Sequence, residues 1–203
     1  MKQIALASKS PRRSDILKKA GFKFNIIKSD YNEELDNKFF SYQKIESLAK
    51  NKAFGALSNL TTPAFILSAD TVVVLDNEIL TKPIDKNDAY NTLSLLSNKK
   101  HIVVTSLCLL DSETLKYVIK STTTKVEFNK LSDEMIHFYV DTFLPLDKAG
   151  AYGIQELPNG YIKNVVGDIE NVIGLSSNAV KSAIQELQTI LEESREKCVC
   201  PQD

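Results

Sequence analysis

The chain has 203 residues, 43% hydrophobic and 25% charged, which predicts one domain, or one domain cut into two lobes, and excludes a disordered or collagen-like protein. No apolar run approaches the roughly 20 residues that a membrane span needs. A formal net charge of −1 is too balanced for a general nucleic-acid binder, so no stable nucleic-acid partner and no membrane partner is expected.

Cys108, Cys198 and Cys200 are too few and too badly spaced for a disulfide framework, and they suit a reducing compartment. Met1-Lys2-Gln3 runs straight into Ile4–Ala7, too short an apolar stretch for a signal peptide. The expected location is cytoplasmic. Charge is unevenly spread: residues 1–30 carry eight basic groups against two acidic ones, whereas the rest carries 17 against 24. A basic beginning to an otherwise acidic chain points to a local anion site.

In chain order, the pattern predicts a strand at Gln3–Ala7, a helix at Pro11–Ala20 stopped by Gly21, and a strand at Phe22–Ile27. A longer helix follows at about Ser41–Leu57, then an apolar strand, Phe65–Leu75, turning at Asp76-Asn77 into Glu78–Leu80. The helix Asp88–Leu96 precedes strands His101–Leu110 and Leu115–Phe128. Ser132 is placed to cap a short helix whose first turn carries Asp133 and Glu134. Five of the seven glycines (Gly150, Gly153, Gly160, Gly167 and Gly174) fall within 25 residues, a region of turns and close backbone approach. A strand at Tyr161–Val166 and an amphipathic helix from Ser177, with Val180, Ala183, Ile184, Leu187 and Leu191 on one face, complete the chain. This mixture predicts an α/β fold. Residues 1–196 read as a single domain, and 197–203, with Cys198-Val199-Cys200, as a frayed tail.

Three places carry chemistry. Ser10 and Pro11 are good helix-starting residues, but Arg12 and Arg13 then face the positive end of the helix dipole, at a cost of ~0.3–1 kcal/mol each. They are either a solvated surface pair or an anion site, where N–H groups, guanidinium forks and hydroxyls converge. Lys52 shares a stripe with Ile45, Leu48, Ala49, Ala53 and Ala56, so it must either snorkel to water, the commoner outcome in general, or meet an anion. Asp70 sits inside a strand that reads as buried on both faces. A carboxylate there is a structural cap or, favoured here, a metal ligand or general base. Glu33 is a plausible second oxygen ligand, although read alone it belongs to an exposed acidic loop.

This set suits phosphate chemistry assisted by a hard cation such as Mg²⁺. No Gly-x-x-x-x-Gly-Lys-Ser/Thr loop and no Gly-x-Gly-x-x-Gly after a strand is present, which argues against P-loop and dinucleotide-binding enzymes. Two histidines, His101 and His137, disfavour a histidine-rich zinc site.

The ordered series Leu6-Ala7-Ser8-Lys9-Ser10-Pro11-Arg12-Arg13, Glu33, Lys52-Ala53, Ser68-Ala69-Asp70-Thr71-Val72-Val73, Lys82-Pro83, Asp147-Lys148-Ala149-Gly150-Ala151-Tyr152-Gly153-Ile154-Gln155 and Asn171-Val172-Ile173-Gly174-Leu175 resembles the Maf family. These are nucleoside triphosphate pyrophosphatases, also described as septum-formation inhibitors. The resemblance implies a mixed twisted sheet flanked by helices, with two lobes around a central cleft. It implies metal-dependent hydrolysis of a nucleoside triphosphate to the monophosphate and pyrophosphate, with Mg²⁺ or Mn²⁺ as cofactor. By the same resemblance Asp70 is the general base, Glu33 and Asp70 hold the metal, and Ser8, Arg13, Lys52 and Lys82 bind the triphosphate. Arg12, Thr71 and Gln155 resemble the branch that takes dTTP and UTP, and an amide at Gln155 suits a pyrimidine edge, which offers both a donor and an acceptor. A housecleaning role against non-canonical nucleotides is a further implication, and a homodimer is left open.

Thr81, Ser106, Glu156 and Ser176 depart from the family pattern. Glu156 adds negative charge beside Gln155, which is expected to weaken base selection or triphosphate affinity. The alternative to an enzyme is a nucleotide-binding regulator of cell division with little or no turnover.

Overall fold

The computed structural model describes residues 2–32 and 39–199, with side chains through Glu196. Among these residues, seven strands form one mixed sheet: β1 (Ile4–Leu6), β2 (Phe24–Ile26), β3 (Phe65–Leu75), β4 (Glu78–Leu80), β5 (Lys100–Asp111), β6 (Tyr117–Phe128) and β7 (Ile162–Val166). The helices are α1 (Pro11–Lys19), α2 (Tyr42–Phe54), α3 (Lys86–Leu96), α4 (Asp133–Phe143), α5 (Ile169–Ile173) and α6 (Ser177–Val199). The sheet order is β2-β1-β3-β5-β6-β7, with β4 pairing β3. β1 runs parallel to both β2 and β3, and the other pairings are antiparallel.

Two of these pairings create the opening in the sheet. β1 pairs β3 only as far as Leu6 opposite Leu67, and the Ala7 amide donates to the Leu67 carbonyl. β4 takes up the same edge of β3 again at Val73. Among the described residues, 68–72 therefore have a ladder partner on the β5 side only, with Asp70 opposite Ser106 and Thr71 opposite Thr105. That gap places Asp70 and Thr71 at the floor of a cleft.

Each side of the cleft has its own apolar core. Leu6, Leu17, Leu67, Leu107 and Leu187 pack α1 and α6 on one part of the sheet, and Leu93, Phe128, Tyr139, Val140 and Tyr161 pack α3 and α4 on the other. α2 lies across β3 and β5 and buries Ile45, Leu48, Ala49, Lys52 and Ala53, the stripe read from the sequence.

The β3–β4 turn puts Asp76 and Asn77 at φ 50° and 67°, a left-handed pair that matches the twist of a tight hairpin. Ser132 accepts from the Met135 amide, as expected of a cap. Elsewhere boundaries shift. β2 is a three-residue edge strand, shorter than expected because only Phe24–Ile26 pair with β1. α2 stops at Phe54, where Gly55 ends it, and a 3₁₀ turn covers Leu57–Asn59. α3 starts two residues early because Asp85 accepts from the Asp88 amide and caps it. α6 is helical through Val199, into the segment read as a tail, and residues 200–203, with Cys200, lie outside the described residues.

Candidate active site

The N-terminal basic segment reaches the cleft because β1 feeds directly into α1. Ser10 occupies the N-cap position with extended backbone, but its side chain makes no capping bond, unlike the expectation. Its amide donates instead to Ser8 Oγ at 3.2 Å. Arg13 is drawn inward as a three-way clasp: Nε donates to the Gly174 carbonyl at 2.9 Å, Nη1 to Ser8 Oγ at 3.2 Å and Nη2 to Thr71 Oγ1 at 3.1 Å. These contacts offset the unfavourable dipole position and tie α1 to β3 and the end of α5. Thr71 Oγ1 also lies 2.9 Å from Thr105 Oγ1 and donates to the Gly174 carbonyl. Arg12 is half-buried and donates through Nη1 to Asp147 Oδ2 at 2.9 Å.

Lys52 does not snorkel, the commoner fate of a lysine on a buried stripe. Its Nζ lies 2.6 Å from Asp70 Oδ1, with side-chain exposures of 10% and 12% for the two residues. The reason is geometric, since α2 crosses β3 at the position where the carboxylate faces it. One buried charge therefore compensates the other.

Ser8, Arg12, Arg13, Lys52, Asp70, Thr71, Lys82 and Gln155 all line one cleft of about 1000 Å³. Lys82 and Gln155 are exposed on its rim. Glu33 lies outside the described residues. Among the described residues no cluster of three or more His, Cys, Asp or Glu side chains is arranged to hold a metal ion. Asp70 supplies one carboxylate, which matches the habit of Mg²⁺ to take one or two protein carboxylates and complete its shell with phosphate and water oxygens.

The glycine-rich segment forms the opposite wall. Gly150 has φ +68°, and a Cβ there would stand 2.8–2.9 Å from the Val73 side chain, so this position needs glycine for both conformation and contact. Tyr152 is buried behind the wall with its hydroxyl 2.7 Å from His101 Nε2. Burial pushes the His101 pKa down to about 4 and raises that of the Tyr152 phenol. Burial works against a charged Asp147, but hydrogen bonds from Lys148 and Arg12 outweigh it and hold the carboxyl below its ordinary range.

Two of the departures from the family pattern, Ser106 and Ser176, have hydrogen-bond partners. Ser106 Oγ lies 2.8 Å from Ser121 Oγ, and Ser176 Oγ accepts from the Ala179 amide at the start of α6. The sequence reading assigned no role to Lys28, Asp30 or Lys148, all of which line the cleft. Lys148 carried a signal, its place in the motif Asp147–Gln155 just before the first glycine of the glycine-rich segment, but its partners are set by folding.

A Maf-like protein family model matches residues 3–187. A protein named dTTP/UTP pyrophosphatase from Bdellovibrio bacteriovorus is 41% identical over 187 residues, 90% of this chain and 97% of that one. Another of the same name from Alkaliphilus oremlandii is 41% identical over 175 residues, 86% of this chain and 91% of its own length. Among solved structures, the Staphylococcus aureus Ham1 protein aligns with 95% of this chain and 100% of its own at 17% identity and a TM-score of 0.47. With the motifs gathered around one cleft and the family pattern running from β1 into α6, this chain belongs to the Maf-like protein family.

Proposed function

We propose that the protein hydrolyses pyrimidine nucleoside triphosphates, dTTP and UTP above others, between the α- and β-phosphates, releasing a nucleoside monophosphate and pyrophosphate. The observation that carries this reading is the buried Lys52–Asp70 pair, 2.6 Å apart at the floor of a cleft whose rim bears Arg12, Lys82 and Gln155. The names of the two relatives support the choice of nucleotide.

In this mechanism Asp70 accepts a proton from the attacking water while Lys52 orients its carboxylate. The water oxygen bonds to phosphorus, the bond to the bridging oxygen breaks, and the electron pair leaves with pyrophosphate. Ser8, Arg13 and Lys82 bind the triphosphate oxygens, and the uncapped first turn of α1 adds its N–H groups to the same anion site. Such positioning and charge stabilisation supply most of the catalysis in phosphoryl-group reactions. Asp70 and Glu33 are the residues that would hold Mg²⁺ or Mn²⁺, which would supply positive charge to offset that of the triphosphate. Arg12, Thr71 and Gln155 read the base. We take residues 1–196 as the single catalytic domain and the cytoplasm as its location; among the described residues no helix is long and apolar enough to cross a membrane.

Product analysis tests the position of cleavage. dTTP incubated with the protein and Mg²⁺ should yield dTMP and pyrophosphate in equal amounts. Formation of dTDP and orthophosphate would overturn this assignment.

A further inference from the structure

Lys148 lies in the cleft wall with its side chain only 8% exposed. A buried ammonium is costly unless it is paired, and this one is held from two sides, by Asp147 Oδ1 at 2.8 Å and Glu156 Oε2 at 3.2 Å. Glu156 Oε2 is itself shielded from water and has no aligned hydrogen-bond donor among the described residues; the Lys148 charge compensates it, and the Tyr139 hydroxyl also interacts with the Glu156 carboxylate. The other oxygen of Asp147 accepts from Arg12. Arg12, Asp147, Lys148 and Glu156 thus form an unbroken, electrically neutral series across the cleft wall. Glu156 lines the cleft, and the Lys148 ammonium is the charge set against its own.

The series ends at or beside two of the three base-reading positions, Arg12 and Gln155. Arg12 is at one end. At the other, Gln155 is the third residue of a turn over 153–156, closed where the Glu156 amide donates to the Gly153 carbonyl at 2.9 Å. The Gly153 amide in turn donates to the Tyr139 hydroxyl at 3.0 Å. Gly153 also leaves room for the pair, because a Cβ there would stand 2.9 Å from Lys148 Cε and 3.2 Å from Glu156 Oε2.

We infer, resting on the nucleotide reading above, that Glu156 is a positioning residue for base selection: through Lys148 and Asp147 it fixes Arg12 and Gln155 relative to one another. Without its charge, Lys148 draws on Asp147 alone and weakens the hold of Asp147 on Arg12. The base contacts loosen while the Lys52–Asp70 floor stays in place.

Steady-state pyrophosphate release from UTP and CTP with Mg²⁺ tests this in Glu156→Gln, which keeps shape and removes charge. The expected result is a KM for UTP raised about five- to tenfold, kcat changed by less than about threefold, and a UTP-over-CTP preference reduced in proportion. Gly153→Ala, which crowds Lys148 but leaves both charges, should reproduce the KM shift, and Glu156→Asp should restore most of it. Calorimetric binding of the same nucleotides gives a second readout independent of turnover. Unchanged KM and preference in Glu156→Gln, or a kcat loss equal for both nucleotides at constant KM, overturns the inference. A wild type that neither binds nor hydrolyses either nucleotide overturns the nucleotide reading, and this inference with it.

Discussion

Lys52 Nζ lies 2.6 Å from Asp70 Oδ1, and the two side chains are among the most deeply buried charged groups of the described residues. The lysine comes from a helix and the aspartate from the middle of a strand 18 positions later. Each makes the burial of the other tolerable, and together they put a fixed, oriented carboxylate where the sheet edge opens. Breaking such a pair by removing one member leaves an uncompensated buried charge, a loss of about 3–5 kcal/mol in fully buried cases. Lys52→Met should therefore abolish turnover and lower the unfolding free energy by about 3 kcal/mol, whereas Lys52→Met with Asp70→Asn should recover much of the stability and none of the turnover. Urea titration of the two variants measures this.

Among the described residues, Arg13 reaches acceptors in three directions, Ser8, Thr71 and the Gly174 carbonyl. A lysine has a point charge in place of a planar fork and cannot span them. Arg13→Lys is expected to raise the KM for nucleotide about tenfold or more and to lower the melting temperature by a few degrees, since each lost charge-assisted bond is worth about 1.5–3 kcal/mol. Kinetics and calorimetry on the same preparation separate the two effects.

His101 is buried, its Nδ1 has no hydrogen-bond partner among the described residues, and its pKa falls from 6.5 to about 4. Between those values the unfolded chain binds a proton that the folded protein does not, so stability rises with pH across the window and is lost as pH falls from about 6.5 towards 4. The full loss is on the order of 3 kcal/mol. His101→Gln should flatten this part of the stability profile, as measured by unfolding at a series of pH values.

Gly150 combines a left-handed φ of +68° with contact against Val73 that leaves no space for a Cβ. Gly150→Ala should destabilise by about 1–3 kcal/mol and move the wall that carries Lys148 and Gln155. Thermal unfolding checks the first effect and the KM for nucleotide the second.

The fold was legible where local chemistry decides it. Phe65–Leu75 reads as a buried strand because its apolar run is continuous, and Asp76-Asn77 as a tight turn because both residues tolerate left-handed backbone. The stripe on α2 marked Lys52 as anomalous, and its outcome depended on a strand that periodicity alone does not place opposite it. β2 was over-extended because its length is set by pairing with a three-residue neighbour. The series from Arg12 to Glu156 is not legible in the sequence for the same reason, since Asp147 is 135 positions from Arg12 and only the folded cleft brings them together.

Turnover tests the central claim most directly: pyrophosphate release measured from dTTP, UTP, CTP and 7-methyl-GTP, with Mg²⁺ or Mn²⁺, for the wild type beside Asp70→Asn. The account predicts rapid release from dTTP and UTP, lost by a factor of about 1000 or more when the base is removed. Tight nucleotide binding by both proteins with no release from either would contradict it and favour a nucleotide-binding regulator.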